Sequence, residues 1–247
     1  MSHKCNFCRD DYCDDVFQSV YPQSQNSILH KTKNFYVAID CFPVCENHLL
    51  IVPFDHKLSF SNLSKTLSKE FEEVLNYIKN IYNNCNNYVL FEHGNNRESK
   101  DKRTFGNSVN HAHMHFFPYQ YVPKKELINY CFKNENTKLK FKEDVYYKNF
   151  FYENKEKKNL LDYLKEDLPT NEPYLFFHFD QKKMESLCIT ENSIDGEIPS
   201  QYFRKFFAVF MNPKEKNPFY NWKIPKEVES SQNQRIKIIN RIFIQFK

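Results

Sequence analysis

The sequence predicts an α+β fold, an antiparallel β-sheet with helices packed on it, from three observations. Four segments have the alternating or clustered apolar residues of β-strands: 35–39, 48–52, 88–91 and 111–117. The first two flank Pro43 and therefore predict a hairpin. Between 63 and 82 the apolar residues keep helical spacing, and Ser61 or Asn62 is expected to cap this helix. With a charged loop expected at 92–107, this order of elements favours a sheet that the helix covers on one face.

The chain is long enough for a core domain with an extension, and we predict a core at 1–122 and a C-terminal α/β extension at 123–247. In the extension, 174–177 has the pattern of a strand, and the residues after Pro199 have that of a helix. This half either packs on the core, bringing Arg204 or aromatic side chains over a substrate, or forms a degenerate second half that closes the sheet. The oligomeric state, a homodimer or a pseudo-dimeric monomer, depends on which alternative holds.

Charge and hydropathy restrict the partners that the chain is expected to have. The 35 Lys and Arg residues barely outnumber the 31 Asp and Glu residues and are scattered, so composition does not favour a protein that coats nucleic acid. No apolar run approaches the length of a membrane helix, and the N-terminus lacks an apolar signal segment. We therefore expect a cytoplasmic protein with no membrane partner, whose 8 cysteines are thiols or metal ligands rather than disulfides.

The most informative segment is 111–117, which reads His-Ala-His-Met-His-Phe-Phe. In an extended strand alternate side chains share a face, so the three imidazoles would line up while the intervening apolar residues enter the core. The spacing is wrong for a helix, and no other stretch of the chain is dense in histidine. A neutral imidazole held on a rigid strand can attack phosphorus, provided that a hydrogen bond to its other nitrogen fixes the tautomer. His113, the middle ring, is the candidate nucleophile.

This segment, with Pro118 directly after it, resembles the signature of the histidine triad (HIT) family of nucleotide hydrolases and nucleotidyltransferases. The resemblance implies a HIT-like fold and attack by His113 on the α-phosphate of a nucleotide, with His115 touching the phosphate or the leaving oxygen. The uridylyltransferases of this superfamily have glutamine at the third position, so His115 favours hydrolysis, as of a dinucleoside polyphosphate. The alternatives are a nucleotidyltransferase or phosphorylase, or a nucleotide- or RNA-binding module without catalysis.

Further residues match positions at which the family binds substrate. Gly106-Asn107-Ser108 resembles the Gly-Gln-Ser/Thr that holds phosphate oxygens, although an ordinary polar turn has the same composition. Asp40 lies where the family binds ribose hydroxyls, but it equally suits a turn before Pro43. His48 belongs to a segment that resembles the family's Gly-His-x-Leu-φ-φ-Pro, with Asn47 in place of the glycine, and is expected at the nucleotide edge or in support of the fold. The segment Phe91-Glu92-His93-Gly94 resembles the uridylyltransferases' Phe-Glu-Asn, which implies that Glu92 and His93 border the site.

Cys5 and Cys8 have the two-residue spacing that lets both sulfurs bind one metal ion. Together with Pro53-Phe54-Asp55-His56, this half-site resembles the zinc-bearing HIT branch. The resemblance implies a structural zinc on Cys5, Cys8, His56 and His111 that braces the strand carrying His113. Two alternatives remain at this point: a four-cysteine site completed by Cys41 and Cys45, or one in which Cys13 replaces a ligand.

Overall fold

A computed structural model describes part of the chain. The described residues are 5, 7–8, 17–19, 26–82, 87–96, 109–118, 140–141, 160–180, 185–190, 194–195, 198, 201–212 and 232–245. None of the helices formed by these residues is long and apolar enough to cross a membrane.

Seven strands form one antiparallel sheet with the order β1-β2-β3-β5-β4-β7-β8. Their bounds are β1 Ile28–Lys31, β2 Phe35–Ile39, β3 Leu49–Pro53, β4 Tyr88–Gly94, β5 Met114–Pro118, β7 Tyr174–Asp180 and β8 Glu185–Thr190. Two short strands, β6 Lys140–Phe141 and β9 Ile194–Asp195, pair separately. The described helices are α1 Ser68–Ile81, α2 Leu160–Asp167, α3 Tyr202–Met211 and α4 Gln232–Gln245. The predicted α+β class, an antiparallel sheet with helices packed on it, is confirmed, and β2 and β3 pair as the predicted hairpin.

Helix α1 begins later than the sequence predicts, so the capping role of Ser61 or Asn62 is wrong. Two 3₁₀ turns, Phe60–Asn62 and Lys65–Leu67, precede it. Ser61 is buried, its Oγ donates to the Pro169 carbonyl at 2.9 Å, and its backbone N donates to the Tyr174 hydroxyl at 3.3 Å. These contacts to distant parts of the chain fix the backbone before α1 and prevent an earlier helical start.

The sheet is buried on both faces. On one face, apolar side chains of α1, α2 and α4 pack against alternate residues of the strands, including Ala112, Met114 and Phe116 as predicted. In α1 the buried apolar side chains have the spacing of an amphipathic helix: Phe71, Val74, Leu75 and Ile78. The opposite face carries two separate clusters, one under α3 and one around Tyr36 and Leu50.

Strand β4 extends through Gly94, so the predicted loop starts at Asn95 rather than at residue 92. Gly94 lies opposite Tyr174 on β7, and a Cβ at this position would collide with the Tyr174 ring. The glycine therefore makes room for an aromatic side chain of the sheet.

The C-terminal half continues the same sheet, because β7 pairs with β4 through all seven residues of both strands. The predicted strand at 174–177 and the predicted helix after Pro199 are both present, as β7 and α3. The boundary between 1–122 and 123–247 stays a prediction, since a continuous sheet neither requires nor forbids it.

Candidate functional site

The candidate site lies on the face of the sheet opposite α1, between the two apolar clusters of that face. Register places His115 of β5 opposite Leu50 on β3 and opposite Phe91 on β4. The Phe91 ring stacks on the imidazole with centroids 5.4 Å apart. The His113 ring packs edge-to-face against the His115 ring, with centroids 5.0 Å apart. Strand pairing thus gathers buried imidazoles on an aromatic ring, and this cluster around His113 and His115 is called the histidine pocket below.

The three histidines do not share one regular strand, which corrects the first expectation. Strand β5 begins at Met114, and both His111 and His113 precede it. His111 turns towards Pro53 at the end of β3, where its Nε2 is 2.8 Å from the carbonyl oxygen. His113 and His115 remain neighbours, so two rings, rather than three, line the pocket.

The tautomer of His113 follows from its hydrogen bond. Its Nδ1 lies 2.7 Å from the backbone carbonyl of His111, and a carbonyl oxygen can accept but not donate. Burial lowers the pKa of His113, so the ring is neutral and carries one proton. That proton is on Nδ1, which leaves the lone pair on Nε2.

A chain of hydrogen bonds assigns the opposite tautomer to His115. The backbone N–H of Val44 donates to His48 Nδ1 at 3.3 Å, and burial lowers the pKa of His48 to about 3, so its single proton lies on Nε2. His48 Nε2 donates in turn to His115 Nδ1 at 2.8 Å. Burial also lowers the pKa of His115, so this neutral ring carries its proton on Nε2. Next to each other, His113 offers a lone pair and His115 offers a proton.

Asp40 is buried beside these rings and does more than form a turn. One oxygen, Oδ1, accepts from the Phe42 backbone N–H at 2.8 Å, and the other, Oδ2, accepts from Arg204 Nη1 at 2.7 Å. His48 Nε2 lies 3.6 Å from Oδ2. Burial alone would raise the pKa of this carboxyl, but Arg204, with His48 and the Phe42 N–H, lowers it to about 2.

Of the two residues expected to border the site, His93 does and Glu92 does not. His93 packs on Phe91 and Phe203, and its charge would interact with those of His113 and Arg204. Within the described part of the chain, its buried Nε2 has no hydrogen-bond partner. Glu92 points to the opposite face, because successive residues of β4 alternate. It accepts from the Phe60 N–H at 2.8 Å and the Tyr174 hydroxyl at 2.6 Å, and burial raises its pKa to about 8.

Two of the expected phosphate-binding residues, Asn107 and Ser108, lie outside the described residues. Their roles remain predictions. Asn47, which replaces the family's glycine before His48, has φ 64°, the left-handed conformation that asparagine tolerates better than most residues. The turn that glycine would make is therefore retained.

The four expected metal ligands meet at one point. Their ligand atoms all lie within 4.8 Å of one another: Cys5, Cys8, His56 and His111. His111 Nδ1 is 3.2 Å from Cys5 Sγ, and His56 Nδ1 is 3.1 Å from Cys8 Sγ. Because the other nitrogen of His111 bonds to the Pro53 carbonyl, its Nδ1 is the nitrogen left for a cation, an arrangement common in metal-binding histidines. These residues can hold a metal ion.

Thiolates at this cluster would require a cation, and among the described residues the four-cysteine alternative finds no support. Burial, with the adjacent Cys5 and Asp55, raises the pKa of Cys8 to about 12, so two thiolates here need a positive charge between them. Among the described residues, the groups able to bind metal include neither Cys41 nor Cys45. Cys45 is buried in the apolar cluster under α3 instead. Cys13 lies outside the described residues.

Two contacts of the pocket had no signal in the sequence, although Arg204 itself was expected over a substrate under one of the two alternatives for the C-terminal half. Phe7, between the two N-terminal cysteines, stacks on His113 with ring centroids 5.3 Å apart. Arg204 reaches Asp40 across 164 residues of sequence. The bulk of Phe7 could equally serve any core, and a helical arginine is usually solvated, so neither residue type points to a site.

Part of the chain is similar to known proteins. The sequence model of the HIT domain matches residues 21–121, and no curated protein matches the chain. A histidine triad protein from Clostridium difficile is 19% identical, covers 50% of this chain and 98% of its own, and superposes with a TM-score of 0.33. The yeast Ap4A phosphorylase Apa2, solved with AMP, is 13% identical, covers 90% of this chain and 78% of its own, and has a TM-score of 0.41. The match to the HIT domain model thus covers strands β1 to β5, helix α1 and the histidine segment 111–117.

Proposed function

We propose that the protein is a nucleotide hydrolase that cleaves a phosphoanhydride at the α-phosphate, as in a dinucleoside polyphosphate, through a nucleotidyl-histidine intermediate. The observation that carries the proposal is the pair of opposite tautomers on neighbouring rings. His113 presents a lone pair on Nε2, and His115 presents a proton on Nε2. A nucleophile next to a hydrogen-bond donor is what displacement at phosphorus needs.

In the first step His113 Nε2 attacks the α-phosphorus, so that an N–P bond forms while the bond to the bridging oxygen breaks. The leaving polyphosphate departs with the electron pair of that bond, and His115 Nε2–H donates a hydrogen bond to its oxygen without transferring the proton. The modified His113 ring is cationic, and the His111 carbonyl that accepts from its Nδ1 stabilises that charge. In the second step water attacks phosphorus, the electron pair returns to Nε2, and the water proton passes to solvent.

The remaining polar residues of the pocket would hold the nucleotide. We assign the ribose hydroxyls to Asp40, whose ionised carboxylate is a strong acceptor, and phosphate oxygens to Asn107 and Ser108. His48 acts through His115 by fixing its tautomer. The free cysteines of the N-terminal cluster are compatible with the reducing cytoplasm expected from the sequence.

We further propose that the metal cluster binds one structural Zn²⁺. In a tetrahedron with Zn–S of ~2.3 Å and Zn–N of ~2.0 Å, a sulfur and a nitrogen lie about 3.5 Å apart. The sulfur-to-nitrogen distances in the cluster, 3.1, 3.2 and 3.6 Å, are close to this value. When bound, such an ion would brace the backbone at His111, whose carbonyl holds His113, without taking part in the reaction.

The proposal is tested by incubating the protein with diadenosine tetraphosphate and separating the products. Hydrolysis at an α-phosphate gives AMP and ATP, and His113→Ala should reduce the rate by at least about 10³-fold because the nucleophile is lost. His30→Phe is the matched control: His30 stacks on Tyr77, remote in sequence from the histidine segment, and phenylalanine keeps that contact. Equal rates in the wild type and in His113→Ala would refute the assigned nucleophile.

A second arm of the assay separates hydrolysis from transfer to another acceptor. Added inorganic phosphate would convert AMP into ADP if the intermediate were resolved by phosphorolysis, and a sugar phosphate would give a nucleotide sugar. Products that do not change with either acceptor support hydrolysis. Tight nucleotide binding with no turnover on a broad panel of substrates would instead favour a binding module.

A further inference from the structure

The C-terminal half places a buried charged side chain beside the histidine pocket, that of Arg204 in α3. Its guanidinium makes two contacts with the loop that joins β2 and β3: Nη1 donates to Asp40 Oδ2 at 2.7 Å, and Nη2 donates to the Phe42 carbonyl. The exposed fraction of the Arg204 side chain is 8%. A planar guanidinium with two donors fixes both the distance and the orientation of what it binds.

These contacts orient the Asp40 carboxylate without saturating it. Among the described residues, each oxygen has one donor within 3 Å, the Phe42 N–H for Oδ1 and Arg204 for Oδ2. An ionised carboxylate has about four lone-pair sites, so about two are left for hydroxyl donors of a ligand. The Asp40 side chain keeps 10% of its surface exposed.

Other side chains of α3 and α4 hold the same loop. Asn212, just after α3, donates to the Val44 carbonyl at 2.7 Å. The Arg235 guanidinium of α4 lies 5.2 Å from the centroid of the Phe42 ring. The pair of Arg241 with Glu46 is exposed and contributes little to holding the loop. The loop on which Asp40 lies is therefore fastened by residues outside the HIT domain at 21–121.

We propose that Arg204 is a positioning residue that holds Asp40 in the orientation needed to accept the ribose hydroxyls of the nucleotide. The C-terminal half would thereby set the preference of the site for ribonucleotides. This inference rests on the proposed function, which assigns the ribose to Asp40. The new element is that the preference for ribose depends on the two hydrogen bonds from Arg204 and not on residues 21–121 alone.

The test measures binding of AMP, GMP, CMP and UMP, each against its 2′,3′-dideoxy counterpart, to the full chain. Hydrogen bonds to a carboxylate should make the wild type prefer the ribo form of the nucleotide that it binds by about tenfold or more. Arg204→Met should abolish this preference by weakening the ribo form selectively, because a dideoxyribose cannot use Asp40. Arg204→Lys keeps the charge but cannot hold both Asp40 and Phe42 in one plane, so its preference should fall between the two.

Arg241→Met is the matched control, because Arg241 contacts the same loop from a C-terminal helix while remaining exposed. It should retain the full preference. Circular dichroism and thermal unfolding identify folded variants, and Arg204→Lys decides the matter if Arg204→Met does not fold. Undiminished preference in the folded Arg204 variants, or a wild type that binds both forms equally, would overturn the proposal. Because the readout is binding, absence of turnover would count against the hydrolase and not against Arg204.

Discussion

The two sides of the histidine pocket are held by different parts of the chain and by different interactions. On one side lie two thiols and two imidazoles, those of Cys5, Cys8, His56 and His111. Phe7, next to Cys8, stacks on His113. On the other side, a buried ion pair joins Asp40 to Arg204 of the C-terminal half. The groups on the first side suit a metal ion. On the second side the charges of Asp40 and Arg204 neutralise each other.

This difference shows that the HIT domain does not build its pocket unaided. The residues that would do the chemistry, His113 and His115, belong to the domain at 21–121. The groups that fix their surroundings come from the N-terminal cysteines and from α3. Each side can therefore be weakened separately while the reacting rings remain.

The largest effect is expected on the metal side. His56→Ala should abolish binding of a stoichiometric zinc ion, measured by elemental analysis, and lower the thermal unfolding midpoint. Structural zinc contributes up to ~10–16 kcal/mol of binding free energy in small zinc peptides, so even a fraction of this is a large change. His56 is exposed, which makes a packing defect a poor explanation for the loss.

Cys41→Ser is the control for that variant, since Cys41 lies outside the cluster and is half-buried. It should keep its zinc. Full retention of zinc by His56→Ala would show that the cluster does not hold the metal as assigned.

The next largest effect is expected on the opposite side, in a comparison of two ion pairs. Arg204→Met leaves the buried Asp40 unpaired and should lower the free energy of unfolding by about 3–5 kcal/mol. Arg241→Met removes a pair whose side chains are 63% and 46% exposed and should cost about 0–1 kcal/mol. Denaturant unfolding measures both, and equal losses would contradict the contrast between buried and exposed pairs.

The Asp40–Arg204 pair also predicts a pH dependence with a definite sign. The pKa of Asp40 is lowered to about 2 from an ordinary value of 3.8, so the folded state favours the ionised carboxylate. The stabilisation is therefore complete above the ordinary value and is lost as the pH falls through about 2. Asp40→Asn should remove this part of the acid sensitivity, which acid unfolding curves of the two proteins would reveal.

The smallest effect is expected where the metal side touches the reacting ring. Phe7→Leu removes an aromatic contact with His113 worth about 0.5–1.5 kcal/mol and should slow turnover by about 2- to 10-fold. Bound zinc should not change, because the leucine leaves the cysteines in place. A loss of zinc together with activity would mean that Phe7 acts on the cluster and not on His113.

Short-range periodicity in the sequence predicted which residues of a strand or helix are buried. The period of two around Ala112, Met114 and Phe116 predicted their burial, and the helical spacing within 63–82 predicted α1. The start of α1 was wrong because Ser61 bonds to residues more than a hundred positions away, which no local pattern encodes.

The residues of the site likewise fall into two groups, those in short sequence motifs and those brought together by tertiary packing. Cys5, Cys8, His56 and His111 stand in short motifs, so their meeting was predicted from the family resemblance. The pair formed by Asp40 and Arg204 depends on how α3 packs on the sheet, and a single arginine in a helix carries no signal of its partner. The bond between His48 and His115 likewise required the register of β3 with β5.

The central claim is that His113 attacks phosphorus through Nε2, and trapping the intermediate tests it most directly. The protein is mixed with diadenosine tetraphosphate, quenched in base within the first turnovers, digested and examined by mass spectrometry. The account predicts an acid-labile adenylyl group on the peptide containing 111–117, assigned to His113 by fragmentation and absent from His113→Ala. An adenylyl group on His115, or turnover by His113→Ala at the wild-type rate, would contradict it.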